Sequence, residues 1–214
     1  MREIKTPHRG VPRPAPARRA PRPHVEAAPG TLARLRAYDE ELLRRVTGKR
    51  HPVTTFLLTV LCRFADPDVV TMALVVIALG GAPGVSEQLC FALVSTALIT
   101  QTVKNTVRRA RPHNDIQALV PPDRYSFPSG HTAAAFTLAM SLTGIVPELV
   151  PIAILVAFFV GYARLYLGVH YPVDVVCGSA IGLFTGSIVA LIPPISSWAT
   201  PLVEPIQAVI LGLS

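Results

Sequence analysis

Three cysteines in 214 residues, each in a separate apolar segment, exclude a disulfide framework or a clustered metal site: Cys62, Cys90 and Cys177 lack any ligand spacing. They read as small buried hydrophobes. Charged side chains are also scarce, at 15% against 50% apolar residues, which departs from soluble composition toward that of a membrane protein. The single tryptophan, Trp198, stands late in the chain where an interfacial anchor would. No early apolar core precedes a small-residue cleavage site, so no removable signal peptide is expected. Arg18-Arg19 has no apolar run behind it to make an export signal.

What the chain does have is apolar length. Runs occur at 69–81, 86–103, 129–145, 147–167 and 172–193, with a weaker one at 53–65. Several approach the roughly 20 residues that cross a bilayer. The runs at 53–65 and 69–81 are short and need neighbours or a thinned bilayer. If these two form a hairpin turning at Ala65-Asp66-Pro67-Asp68, the pattern predicts an all-α polytopic bundle of about six transmembrane helices, with both chain ends on one side. Gly178, Gly182 and Gly186 recur every fourth residue in the last run and permit a close helix contact within the subunit.

Net charge is +7, and it is unevenly spread: residues 1–50 hold 13 Lys/Arg and five Asp/Glu, the remainder seven and eight. Residues 1–30 form a Pro- and Arg-rich tail that cannot bury apolar area and is expected to be disordered. In 31–50, Leu32, Leu35, Tyr38, Leu42 and Val46 give the spacing of an amphipathic helix lying on the membrane surface. A membrane domain at 51–195 and a short tail at 196–214 complete the division. The basic tail acts as a topology signal rather than a nucleic-acid contact, and the positive-inside tendency puts it in the cytoplasm. Six spans would then place the loop 105–128 outside, although it carries Arg108, Arg109, Arg111 and Arg124. A bound anion would account for that conflict. Were 53–65 not a span, the orientation would invert.

Three polar clusters stand out from the apolar background. Lys104 and Arg111 lie seven residues apart, almost two helical turns, so both can project from one face; alone, such cations are also what a snorkelling flank looks like. Pro128-Ser129-Gly130-His131 fits a helix start, where free amides and the dipole favour an anion, Gly130 allows close approach and His131 adds a proton donor. A capped helix with a structural histidine would read the same. Arg164, His170 and Asp174 form the third cluster. Pro172 suits the first turn of the last helix, and a carboxylate at Asp174 could fix the His170 tautomer. The same His-x-x-x-Asp spacing also serves metal pairs. Between His131 and Arg164 lie 32 residues broken by a turn, enough for one helix to descend and another to return. All three clusters are therefore expected at one end of the bundle, slightly sunken below the interface.

These residues resemble the type 2 phosphatidic acid phosphatase and vanadium haloperoxidase superfamily, whose pattern is Lys, six residues, Arg-Pro; Pro-Ser-Gly-His; and Ser-Arg, five residues, His, three residues, Asp. Here it stands as Lys104 to Arg111-Pro112, Pro128 to His131, and Ala163-Arg164 to His170 and Asp174, with Ala163 where serine is usual. The resemblance implies a lipid phosphate phosphatase that needs no metal or other cofactor and works through a phosphohistidine. His170 would be the nucleophile oriented by Asp174, and His131 the acid and then the base. Lys104, Arg111, Ser129, Gly130 and Arg164 would hold the phosphate. Expected substrates are undecaprenyl diphosphate first, then phosphatidic acid or phosphatidylglycerol phosphate, taken from the outer leaflet of the cell membrane. A lipid phosphotransferase would use the same residues, and an inactive membrane scaffold or transporter is the rival of another class.

Overall fold

In a computed structural model, residues 30–112 and 124–193 are described, and all their regular elements are helices. They are α1 (Thr31–Thr47), α2 (Pro52–Phe64), α3 (Pro67–Leu79), α4 (Pro83–Val107), α5 (Gly130–Ser141), α6 (Val150–Tyr166) and α7 (Pro172–Ala190), with two single 3₁₀ turns between α5 and α6. The expected tails at 1–30 and 196–214 lie outside the described residues, apart from Gly30, and so does Trp198. Four helices begin with proline as their first residue, where a missing N–H costs nothing and the fixed φ suits the helix.

The apolar runs become α2 to α7 in order. Pro147–Tyr166 and Pro172–Ala190 are each long and apolar enough to cross a membrane, while α2 and α3 are shorter apolar helices. Large apolar side chains also cover the outside: Phe56, Met72, Leu98, Phe158 and Phe184 are all more than 60% exposed. A bundle apolar on its outer face as well as inside suits lipid rather than water.

The helices share two common ends. At the first, Lys104 near the close of α4, the start of α5, Arg164 near the close of α6 and the start of α7 come together. At the second, Gln88 near the start of α4 hydrogen-bonds the Val189 carbonyl at 3.3 Å, and Gly144 abuts the Ala190 backbone. The hairpin expected from α2 and α3 does not take the predicted form. The His51 amide, just before α2, bonds the Tyr166 hydroxyl at 2.7 Å at the close of α6, while Asp66, just after α2, bonds His131 at the start of α5. Both ends of α2 thus belong to the first end of the bundle, and α2 does not run the length of the molecule. Five helices, α3 to α7, run from one end to the other. A 13-residue apolar segment is only about 20 Å long as a helix, so it satisfies its apolar surface equally well lying against α6 and lipid.

The glycine stripe does what its spacing predicts. A Cβ at Gly178 would come within 2.5 Å of the Ser129 carbonyl oxygen and one at Gly186 within 2.5 Å of that of Thr137, so α7 lies directly on the α5 backbone. Two expectations change. Cys62 is buried among Leu58, Ala163 and Tyr166, but Cys90 is exposed and Cys177 half-buried, because lipid lets an apolar side chain sit on an outer face. Helix α1 forms, yet it turns Asp39 and Leu43 inward and leaves Leu35 and Tyr38 exposed, since the buried acid gains partners on α7 that no apolar side chain could use.

Candidate active site

The α5–α7 seam sets the site. Because the two backbones touch, the Ser129 amide donates to the Asp174 carbonyl at 2.9 Å, which fixes the start of α5 against the first turn of α7. His170 immediately precedes that turn and is 1% exposed. Its Nδ1 lies 2.7 Å from the Ser126 carbonyl oxygen, an acceptor only, so Nδ1 carries the proton and Nε2 is left with its lone pair. Arg111 reaches that same nitrogen, with Nη1 3.3 Å from Nε2 and 2.6 Å from the Val169 carbonyl. Burial is the main reason His170 falls from its ordinary value to about 4; Arg164 and Arg111 push the same way, against Asp174. The ring is neutral at pH 7.

Asp174 differs from its expected role. Its Oδ2 stands 3.7 Å from His170 Nδ1, beyond hydrogen-bond range, so the carboxylate acts on the ring by its field while Ser126 fixes the tautomer. The Asp174 oxygens are occupied by the Tyr171 amide at 2.9 Å and by Arg109 at 2.8 Å. Arg109 also bonds Asp39 of α1 and stacks 4.0 Å from the Tyr171 ring centre. Asp39 in turn accepts from the Val173 amide at 3.0 Å, capping α7 from another helix. Neither Asp39 nor Arg109 was anticipated. The signal was present in α1, where Asp39, Leu43 and Val46 share a face that a purely apolar count overlooks.

The other expected residues line a cavity of about 580 Å³ beside this cluster, walled by Lys104 of α4, Gly130 and His131 of α5, Arg164 of α6 and Asp66. Lys104 and Arg164 are both buried at the last turn of their helices, where the dipole also favours a cation. The Arg164 Nε is buried with no hydrogen-bond partner among the described residues, a donor suited to a ligand oxygen. Gly130 stands beside the Lys104 ammonium, which lies 3.8 Å from where a Cβ would be. His131 Nε2 is 2.8 Å from Asp66 Oδ1, and Asp66 also takes a 2.7 Å bond from Arg63. Burial opposes ionisation of Asp66, but the bonds from His131 and Arg63 outweigh it and hold the carboxyl below its usual range. The sequence had shown Asp66 only as a turn residue.

Eight expected residues therefore fall into two adjoining groups: Lys104, Gly130, His131 and Arg164 on the cavity wall, and Arg111, Ser129, His170 and Asp174 buried beside it. The Ser129–Gly130 peptide joins them. The Ser129 hydroxyl is bonded to Thr132 at 2.8 Å rather than turned to the cavity. Ala163, in place of the usual serine, is fully buried among Leu58, Cys62 and Leu167, so its side chain meets α2. Among the described residues, no cluster of His, Cys, Asp and Glu has the form of a metal site. The arrangement offers an unprotonated imidazole nitrogen, three buried cations for an oxyanion and a second imidazole paired with a carboxylate.

Comparison with known proteins gives the same grouping. An 81-residue stretch is 47% identical to decaprenylphosphoryl-5-phosphoribose phosphatase of Mycolicibacterium smegmatis, over 36% of this chain and 42% of that protein. A 99-residue stretch is 34% identical to undecaprenyl-diphosphatase of Sulfolobus acidocaldarius, over 44% and 48%. The chain thus spans about half the length, or less, of these relatives. The crystal structure of Aquifex aeolicus LpxE matches with a TM-score of 0.63 at 32% identity, over 70% of this chain and 92% of that one. The transmembrane PAP2 type phosphatidylglycerolphosphate phosphatase of Bacillus subtilis matches at 0.64 and 25%, over 73% and 84%. Residues 87–198, from the start of α4 past the end of α7, match the PAP2 superfamily, and the chain belongs to it.

Proposed function

We propose that this chain is an integral-membrane lipid phosphate phosphatase that works through a phosphohistidine and needs no metal ion. The observation that carries this reading is the His170 ring: Nδ1–H is tied to the Ser126 carbonyl, so the unprotonated Nε2 faces Arg111. In the first step Nε2 bonds to phosphorus as the ester P–O bond breaks, and His131 gives its proton to the departing oxygen. Arg111 leaves Nε2 for an equatorial oxygen, where Lys104 and Arg164 also bear on the spreading negative charge. In the second step water attacks phosphorus, the P–N bond breaks, inorganic phosphate leaves and His131 takes up the water proton. Three fixed cations take the part that a divalent ion plays elsewhere in phosphoryl transfer.

The relatives named above act on prenyl-linked phosphates, and the neighbour from Bacillus subtilis on phosphatidylglycerol phosphate. A phosphate ester or diphosphate of a polyprenyl or glycerol lipid is the substrate class we assign. The test is phosphate release by the purified full chain in detergent with EDTA present, using undecaprenyl diphosphate, phosphatidic acid and phosphatidylglycerol phosphate in parallel. The wild type should turn over at least one, and His170→Ala should lower release at least about 10³-fold while the protein elutes normally. Full activity in that variant, or activity restored only by added divalent metal, removes the mechanism.

A further inference from the structure

We infer that the active site faces the cytoplasm and that its substrate is a lipid phosphate of the cytoplasmic leaflet. The inference rests on the proposed phosphatase activity for its substrate half and on topology alone for its orientation half.

The geometry supplies the first premise. Helix α1 is fastened to the site end, since Asp39 bonds both Arg109 and the Val173 amide. The α1–α2 junction is there too: Arg50 bonds the Tyr166 carbonyl at 3.2 Å and the His51 amide bonds the Tyr166 hydroxyl. Asp66 returns α2 to the same end through His131. From that point α3 to α7 pass between the ends five times, an odd number. Residues 30–51 therefore stand at the site end, and Ala190 closes α7 at the other.

Charge supplies the second premise. The sequence has 20 Lys and Arg, and none lies within 65–103, 125–163 or 165–214. Those three stretches contain both connections at the far end and the whole of the chain beyond Arg164. Of the far-end turns, the one after α3 reads Gly80-Gly81-Ala82 and the one before α6 carries only Glu148. At the site end, by contrast, stand Arg34 through Arg50 in α1 and its exit, Arg63 in the last turn of α2, and Lys104, Arg108, Arg109, Arg111 and Arg124 around the α4–α5 connection. The segment 1–29, which precedes α1 in the sequence, contains seven more. Lys and Arg near helix ends decide orientation, and Asp and Glu contribute little. A distribution with every described cation on one side of the five crossings sets that side in the cytoplasm. The same assignment places α1, with its exposed Leu35 and Tyr38, on the leaflet rich in anionic lipid. It also removes the conflict posed by a cationic 105–128 loop.

The chemistry then narrows the substrate. A headgroup entering from the cytoplasmic leaflet is one made there, by a transferase or kinase using a soluble phosphorylated donor. The products are inorganic phosphate released into the cytoplasm and a dephosphorylated lipid left in the same leaflet.

Cysteines introduced one at a time into a chain with Cys62, Cys90 and Cys177 replaced by alanine test the orientation. Glu40→Cys in α1 and Thr106→Cys in α4 mark the site end, and Glu148→Cys marks the far end; all three positions are exposed. In spheroplasts, a membrane-impermeant maleimide should label Glu148→Cys at once and the other two only after permeabilisation. Labelling of Thr106→Cys before permeabilisation overturns the inference, and protection of all three overturns the five-crossing count beneath it. For the substrate half, phosphate release from dihexanoyl phosphatidic acid without detergent should proceed in inverted membrane vesicles and be at least tenfold slower in right-side-out ones; the reverse ratio overturns it. If detergent reveals no turnover in either preparation, the phosphatase reading fails, and the maleimide pattern still decides the orientation.

Discussion

At the scale of single residues, the proposed mechanism places opposite demands on two histidines as pH changes. His170 must be neutral to attack, and its burial with two arginines brings it to about 4, so kcat/KM should fall as pH drops through about 4. His131 must be protonated, so activity is lost as pH rises. The groups facing His131 are Asp66 with Arg63 and Asp68 at the α2–α3 junction, Lys104 from α4 and Arg164 from α6. Asp66 is the one carboxylate among the described cavity-lining residues, and its bond to His131 favours the imidazolium there against nearby cations. Asp66→Asn should therefore move the alkaline limb to lower pH, with about a tenfold loss above it for each unit moved, and leave the acid limb in place. Asp66→Glu should restore most of the limb. A rate lowered evenly at every pH, with both limbs fixed, would reduce Asp66 to a structural turn residue.

At the scale of helices, the site is only as exact as the α5–α7 contact. Ser129–His131 and His170–Asp174 come from helices that touch through three glycines, and the pitch of about 5.4 Å per turn puts Gly178, Gly182 and Gly186 on one face. Gly182 is the central one: a side chain there would collide with the Ala133 carbonyl and reach 2.7 Å from the Phe136 Cβ. Gly182→Val should force the helices apart, cost about 1–3 kcal/mol of stability and lower kcat by about 10²-fold, because a shift near 1 Å suffices to misplace a nucleophile. The neighbouring Leu183→Val, on the lipid-facing side at 39% exposure, serves as the comparison and should change neither quantity much. Thermal unfolding in detergent and kcat measured on one preparation check both. If Gly182→Val keeps wild-type kcat, the seam does not set the catalytic geometry. This contact was legible in advance because glycine at a four-residue spacing has few other uses in an apolar helix. The Asp39–Arg109–Asp174 chain was not, since a charged residue on an amphipathic helix looks the same whether it faces water or a buried arginine.

At the scale of the whole molecule, helix content and the gathering of the three motifs were readable from hydropathy and spacing, but whether 53–65 runs from one end of the bundle to the other was not. Hydropathy registers how apolar a segment is and says nothing of its direction; only the contacts of His51 and Asp66 reveal that α2 keeps to one end. Counting it as a crossing changes the parity, and parity decides which face the site occupies. Charge then becomes the quantity to perturb. If cations hold the site end inside, adding cations to the far end should weaken that hold without touching the bundle. Ala82, Val146 and Glu148 lie in or beside the far-end turns, Val146 and Glu148 exposed and Ala82 in part. The triple variant Ala82→Lys, Val146→Lys, Glu148→Lys, carried on the Thr106→Cys background, should insert in both orientations, so that a measurable fraction of Thr106→Cys becomes open to the impermeant maleimide in spheroplasts. Deleting residues 2–29, which removes seven of the 20 cations, should enlarge that fraction. An orientation indifferent to both changes would mean that something other than the lysine and arginine distribution holds this bundle in the bilayer.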